Sequence, residues 1–284
     1  MLIAVASGKG GTGKTTVATN LALTIGKDVQ FLDCDVDEPD AHLFLRPEIE
    51  RSEVVKVPVP EVDENLCNLC GKCQEICQFK AIVLIADRVL TFHELCHSCG
   101  GCFEVCPQRA ISEGDRELGI IEEGFADGIR FVHGRLRIGE AMDGPLIREV
   151  RKRADDSSIT IIDAPPGSSC PVVEAIKGVD FVLLVTEPTP FGLFDLKIVH
   201  RVVEILGIPC ALVINRADVG DSGVKEYAKE KEIPILLEIP FDRRILELYS
   251  EGTALVSAMD SWKERFEELF GKIKKILQGE GNGK

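Results

Sequence analysis

The sequence predicts an α/β fold with a mostly parallel sheet, interrupted by a smaller inserted α+β module. Three observations lead there. Short apolar runs alternate with helical patterns towards both ends of the chain, a glycine-rich loop joins the first run to the first helix, and two dense cysteine runs fall between the alternating parts. Leu2 to Ala6 reads as a buried strand, Gly8 to Lys14 as a loop and Thr15 to Ile25 as a helix, with Gly26 just past its end. Val29 to Asp33 is a second strand, and the pattern breaks near Pro58-Val59-Pro60. The next fifty or so residues repeat internally: Cys67 and Cys96, Ala81 and Ala110, and Ile82 and Ile111 are each 29 positions apart. Ile82 to Leu84 and Val89 to Phe92 are expected to form a hairpin between the two halves. Alternation resumes after about Glu113. Ile159 to Asp163, Phe181 to Thr186 and Ala211 to Asn215 resemble parallel strands covered on both faces. Helical stretches at Asp195 to Leu206, Val224 to Glu230 and Trp262 to Leu277 lie between or beyond them. Residues 1–59 and 115–284 therefore make one domain, split by an insert at 60–114.

At 284 residues and 45% apolar content, the chain is long enough for one large core plus a small module. No apolar run approaches the length of a membrane span. A formal charge of −14 excludes a nucleic-acid surface, which needs clustered Lys and Arg. Eleven cysteines without a signal peptide imply a reducing, cytoplasmic location.

The cysteines follow C-x2-C-x2-C-x3-C twice, as Cys67, Cys70, Cys73, Cys77 and as Cys96, Cys99, Cys102, Cys106, the latter followed by Pro107. This is the bacterial ferredoxin spacing for paired 4Fe–4S clusters, in which the fourth cysteine of each run serves the other cluster. One cluster is thus assigned Cys67, Cys70, Cys73 and Cys106, the other Cys77, Cys96, Cys99 and Cys102. Zinc is the competing reading, but four cysteines in eleven residues, done twice, fit cubane clusters better than two-ligand zinc knuckles. So small a module cannot bury a core of its own, and its clusters are expected to hold it together.

Gly8 to Thr15 satisfies G-x-x-x-x-G-K-[ST] between a strand and a helix. In that pattern the loop Gly8, Lys9, Gly10, Gly11, Thr12, Gly13, Lys14, Thr15 and Thr16 cradles the phosphates of a nucleotide, here ATP. Lys14 reaches the β and γ phosphates, and Thr15 takes Mg2+.

With its extra lysine at Lys9, the loop resembles the deviant P-loop of the MinD/ParA and nitrogenase iron protein group of ATPases. The likeness extends to Asp33-Cys34-Asp35, followed by Pro39, and to Ile161-Ile162-Asp163-Ala164-Pro165-Pro166-Gly167, which resembles the Walker B and switch II segment of Mrp-type proteins. Taken with the cysteine insert, the whole chain is similar to MinD-superfamily P-loop ATPases that contain an inserted ferredoxin domain. The resemblance implies catalytic roles for Lys9, Lys14 and Asp35, with Asp35 orienting the attacking water. It also implies a Mg2+ site at Thr15 and Asp163, and an adenine site at Asn215 and Pro240. Lys9 would contact nucleotide, commonly across an ATP-dependent homodimer. Asp33 has the alternative reading that it only holds the loop.

Cys34 and Cys210 read as packing residues. Cys170 sits where the nitrogenase iron protein places a ligand of a bridging cluster, but no second cysteine pairs with it. His93 and His97 read as neighbours of the second cysteine run, not ligands. The stripe Trp262, Phe266, Leu269, Phe270, Ile273, Ile276 and Leu277 could bind a membrane or cover a sheet; Glu264, Glu267 and Glu268 oppose anionic lipid and favour the sheet. The combined expectation is an ATP-hydrolysing homodimer whose nucleotide state gates electron transfer through two 4Fe–4S clusters to a redox partner. The alternatives are a cluster assembly or carrier ATPase of Mrp type, delivering to an iron–sulfur client, and an ATP-dependent redox-sensing adaptor.

Overall fold

The computed structural model describes residues 1–155 and 158–279; positions 156–157 and 280–284 lie outside the described residues. The apolar runs become strands: β1 (Leu2–Ala6), β2 (Val29–Asp33), β3 (Glu48–Val62), β4 (Ile82–Ile85), β5 (Arg88–Thr91), β6 (Ile111–Ala126), β7 (Ile129–Leu136), β8 (Ile159–Asp163), β9 (Phe181–Thr186), β10 (Cys210–Asn215) and β11 (Ile235–Ile239). Nine of these share one sheet in the order β11-β10-β9-β1-β8-β2-β7-β6-β3. From β11 to β7 every neighbouring pair is parallel. Register then fixes the chemistry: Val5 and Asp33 both lie opposite Asp163, so the carboxyl ends of β1, β2 and β8 open side by side. Crevices outside such strand ends are where open α/β sheets bind ligands.

Two segments depart from the sequence reading. The pattern does not break at Pro58 and Pro60: β3 runs through both, with Val55, Val57 and Val59 buried at alternate positions. The prolines are tolerated because β3 is the outermost strand of the order, where one side of the ladder needs no donors. A long hairpin of β6 and β7 also forms, joined by Asp127-Gly128 with both residues at positive φ (49° and 86°), as a type I′ turn requires.

The chain folds as two units, residues 1–52, 121–135 and 147–284 forming the first, residues 53–120 and 136–146 the second. The first is a sheet covered by helices, including Lys14–Ile25 and Asp260–Leu277. Gly26 follows the first of these at φ 81° and returns its N–H to the Ala22 carbonyl. On the last helix Trp262, Phe266, Leu269 and Ile273 are buried in the core, with Phe270, Ile276 and Leu277 packed against it. The apolar stripe therefore covers the sheet. Among the described residues no helix is long and apolar enough to cross a membrane.

The second unit shows its repeat in the backbone. Helices Lys72–Ile76 and Gly101–Val105 start after Gly71 and Gly100, both at φ 76°. Leu69 and Ser98 share positive φ (58° and 53°), as do Lys80 and Arg109 (57° and 49°). Ala81 N donates to Cys77 Sγ at 3.3 Å, and Ala110 N donates to Cys106 Sγ at 3.2 Å. The antiparallel hairpin of β4 and β5 separates the halves, pairing Ile82 with Thr91.

Because Phe266 is fully buried, Phe266→Ala is expected to lower the unfolding free energy by about 3–5 kcal/mol, read from urea denaturation. A membrane-facing residue would show almost no loss.

Candidate functional site

In the first unit the loop after β1 turns through Gly11 and Gly13, at φ 75° and 90°, into the helix that begins at Lys14. Positive φ at Gly13 excludes larger residues there, and a Cβ would also meet Asn215 Nδ2 at 2.5 Å. Lys14 Nζ donates to Asp163 Oδ1 (2.7 Å) and Asp35 Oδ2 (3.3 Å), while Thr15 Oγ1 donates to Asp163 Oδ2 (2.6 Å). Asp33 holds the chain that carries Asp35: its carboxylate accepts from Asp35 N (3.1 Å) and from Ala41 N (3.2 Å). Carboxylate oxygens of Asp33, Asp40 and Asp163 lie within 4.8 Å of one another.

Such crowding raises the carboxyl groups. Burial, then the neighbouring Asp163, pushes Asp33 well above the ordinary carboxylate range; burial raises Asp163, and burial pushes Asp35 up to about 6 against the pull of Lys14. Burial alone would favour loss of the Lys14 proton, but Asp163 and Asp35 more than offset it and Lys14 is raised. Lys14 therefore stays an ammonium at neutral pH. A hydroxyl and a carboxylate 2.6 Å apart are the hard oxygen donors that Mg2+ takes, so Thr15 and Asp163 fit that ion.

The loop borders a cavity of about 330 Å3. Its polar side is Lys14, Thr15, Asp35 and Asn215; Pro240, Phe241, Ile245, Leu246 and Tyr249 give it an apolar wall. Asn215 Nδ2 donates to the Thr12 carbonyl (2.9 Å) and Oδ1 accepts from Arg216 N (2.9 Å), so this side chain braces the loop while lining the cavity. Lys9 Nζ pairs with Glu187 at 3.2 Å, and Glu187 also pairs with Arg216 at 3.0 Å. Sequence reasoning missed Asp40 and the wall on helix Arg243–Ser250. The signals were an acid seven residues after Asp33 and the spacing of Ile245, Leu246 and Tyr249 just after Pro240.

In the second unit the cysteines sort into two cavities. One is lined by Cys67, Cys70, Cys73 and Cys106, the other by Cys77, Cys96, Cys99 and Cys102. Tetrahedral zinc at about 2.3 Å per thiolate would draw sulfurs to about 3.8 Å apart. Among the described residues no three cysteine sulfurs lie within 4.8 Å of one another. Four thiols around each pocket are the ligand set of a cubane iron–sulfur cluster. His93 Nε2 lies 3.1 Å from the Pro60 carbonyl, and the His97 ring stacks on Phe79 with centroids 3.6 Å apart. Cys34 is buried and its thiol is raised by burial, as befits packing. Cys170 is exposed and opens helix Cys170–Ile176.

The family described as the CobQ/CobB/MinD/ParA nucleotide-binding domain matches residues 3–256. An uncharacterized protein of Methanocaldococcus jannaschii is 34% identical over 98% of this chain and 98% of its own. The iron–sulfur cluster carrier protein of Pyrococcus horikoshii is 24% identical over 98% of this chain and 88% of its own. In fold, the chain is similar to the septum site-determining protein MinD of Pyrococcus horikoshii, solved with Mg-ADP. That likeness has a TM-score of 0.61 at 19% identity and covers 99% of each chain.

Asp35 ionises near 3.8 ordinarily and at about 6 in the fold, so between those values the folded chain holds the extra proton and stability falls as pH rises. Lys14→Ala removes the counter-charge; without nucleotide it should cost about 3 kcal/mol at pH 7 and distinctly less near pH 4, by urea denaturation. An equal cost at both pH values would show that Lys14 is not balancing charge. For the cysteines, Cys106→Ser with Cys67→Ser should lose no more iron and sulfide than either change alone, whereas Cys106→Ser with Cys96→Ser should lose both clusters.

Proposed function

The chain belongs to the CobQ/CobB/MinD/ParA nucleotide-binding domain family, and on that premise we propose that it is an ATP-hydrolysing protein that retains two 4Fe–4S clusters, its nucleotide state gating electron transfer through them to a redox partner. The observation that carries this reading is the pair of complete four-cysteine pockets in a chain that also has the Lys14, Asp35 and Asp163 constellation. Residues 60–114 form the inserted ferredoxin module of the proposal, and residues 1–59 and 115–284 the ATPase.

Backbone N–H groups of the loop from Gly8 to Thr16 bind the phosphates, and Lys14 exchanges its carboxylate partners for β and γ phosphate oxygens. Asn215 and Pro240 bound the base, beside the apolar wall that ends at Tyr249. Asp35 accepts a hydrogen bond from water and aims its oxygen in line with the γ phosphorus. The new P–O bond forms as the bond to ADP breaks, and the water proton leaves with the phosphate product. Thr15 and Asp163 would hold Mg2+, which would supply neutralisation of the phosphate charge. Lys9 is the residue proposed to reach nucleotide across an ATP-dependent homodimer, exchanging Glu187 for phosphate.

The eight cysteines would hold the clusters, which would supply one-electron redox capacity. The chain passes between the two units four times, after residues 52, 120, 135 and 146, and this is the supporting reason to expect coupling. A second reading, a cluster carrier of Mrp type with an iron–sulfur client, is favoured by the likeness to a protein named for that role. Against it stands the complete set of four cysteines around each pocket, since a delivered cluster needs a ligand set that lets go. Both readings place the protein in the cytoplasm.

The test is the electron paramagnetic resonance spectrum of the reduced protein, with and without Mg-ATP, for the native chain and for Lys14→Ala. The expected outcome is an ATP-induced change in line shape or potential that Lys14→Ala abolishes. Identical spectra would overturn the gating and leave the carrier reading ahead.

A further inference from the structure

The internal repeat allows the two cysteine pockets to be compared position by position, and their surroundings differ. Asn68 and Gln108 line the pocket of Cys67, Cys70, Cys73 and Cys106. At the positions 29 residues away, the pocket of Cys77, Cys96, Cys99 and Cys102 is lined instead by His97 and Phe79. These two rings lie flat against each other, 9° from parallel. The first pocket is thus flanked by two flexible amides, the second by a stacked aromatic pair.

A buried clamp adds to the difference. Arg116 NH2 donates to the Cys96 carbonyl (3.1 Å) and NH1 to the Glu94 carbonyl (3.4 Å). The guanidinium is itself held by Glu140 at 3.0 Å, the two side chains being 6% and 0% exposed. Glu140 is fixed in turn by accepting from Ala141 N (3.0 Å) and Met142 N (3.2 Å). The loop that begins the second cysteine run is therefore tied to a charged pair with little freedom to move. Ser98 N also donates to Cys96 Sγ at 3.4 Å. Counting back 29 residues from Arg116 gives Asp87, an acid whose side chain is 85% exposed and which can donate nothing to a carbonyl.

We infer that the two clusters are unequal in retention: the one on Cys77, Cys96, Cys99 and Cys102 is the permanent one, and the one on Cys67, Cys70, Cys73 and Cys106 is the exchangeable one. Loss of iron from a thiolate site begins with a ligand loop lifting away and water entering. Arg116 and Glu140 oppose the first step at Cys96, and the Phe79–His97 stack, though Phe79 is 41% exposed, covers one side of the pocket against the second. Arg116 is a positioning residue, acting on the cluster through the backbone of its ligand. The inference rests on the two-cluster reading above and would reconcile a resident redox centre with a relative named as a cluster carrier, both in one module.

The experiment is anaerobic iron release from the full chain into excess ferrous chelator, followed by absorbance after the iron load has been measured. The native protein should release iron in two phases of equal amplitude, with rates at least about tenfold apart, the range in which outer contacts change metal affinity. Cys67→Ser should delete the fast phase. Arg116→Lys keeps the charge but cannot span both carbonyls, and Phe79→Gln with His97→Asn gives the second pocket the surroundings of the first. Each should speed the slow phase about tenfold and leave the fast phase unchanged. If Arg116→Lys fails to load with iron, the aromatic exchange carries the same test. A single release phase from a fully loaded native chain overturns the inference, as does loss of the slow phase in Cys67→Ser. A native chain that never takes up iron for two clusters refutes the underlying reading instead.

Discussion

One ammonium group among buried carboxylates is the constraint around which the first unit is organised. Lys14 bonds to Asp163 and Asp35, and Asp33 stands close enough to feel both. Acids packed so closely repel one another in a medium of low dielectric, and a single positive charge offsets only part of that. The fold meets the problem by register. β2 and β8 end level with each other, β1 ends beside β8, and the loop after β1 delivers Lys14 over the point where the acids converge. Asp33 spends its oxygens on backbone N–H groups, which steadies the turn that presents Asp35. The arrangement favours any ligand that relieves the carboxylates of one another, and a nucleotide with a divalent cation does that.

The second unit solves a different problem, that of a chain too short to bury much apolar surface. Its regularity is in the backbone: residues at positive φ recur at the same offset as the cysteines, and the same amide–sulfur bond closes each half. Segment 136–146, which comes much later in the chain, belongs to this unit and brings Glu140 to Arg116.

The parts most legible in the sequence were those whose chemistry depends on neighbours in the chain. Gly8 to Thr16 can be read directly because the loop needs its glycines and Lys14 at fixed separations, and the cysteine pockets follow from spacing alone. Strands β1, β2, β8 and β9 were legible because both faces are buried and the runs are apolar throughout. What escaped depends on distant partners. Whether Pro58 and Pro60 end a strand depends on whether that strand lies at an edge, which is a property of the whole sheet. Asp40 becomes part of the acid group only when its loop folds back on β2 and β8, and Phe241 and Tyr249 become a cavity wall only once β11 is beside β10. Arg116 carried no local sign that it would be buried. The hairpin of β6 and β7 is the exception, since Asp127-Gly128 between two alternating runs was a readable signal.

Each pocket of the second unit takes three cysteines from one half of the repeat and its fourth from the other. The halves are interlocked, so neither can be lost by deletion without ruining both sites. A duplication that produced such a pair could not be undone one copy at a time. The same interlock governs synthesis. A ribosome that has just made Cys77 has made the four thiols of the first run and no complete four-cysteine set, and none is complete until Cys102 emerges. The four thiols of the first run are therefore without their partners until the hairpin and most of the second run have been made.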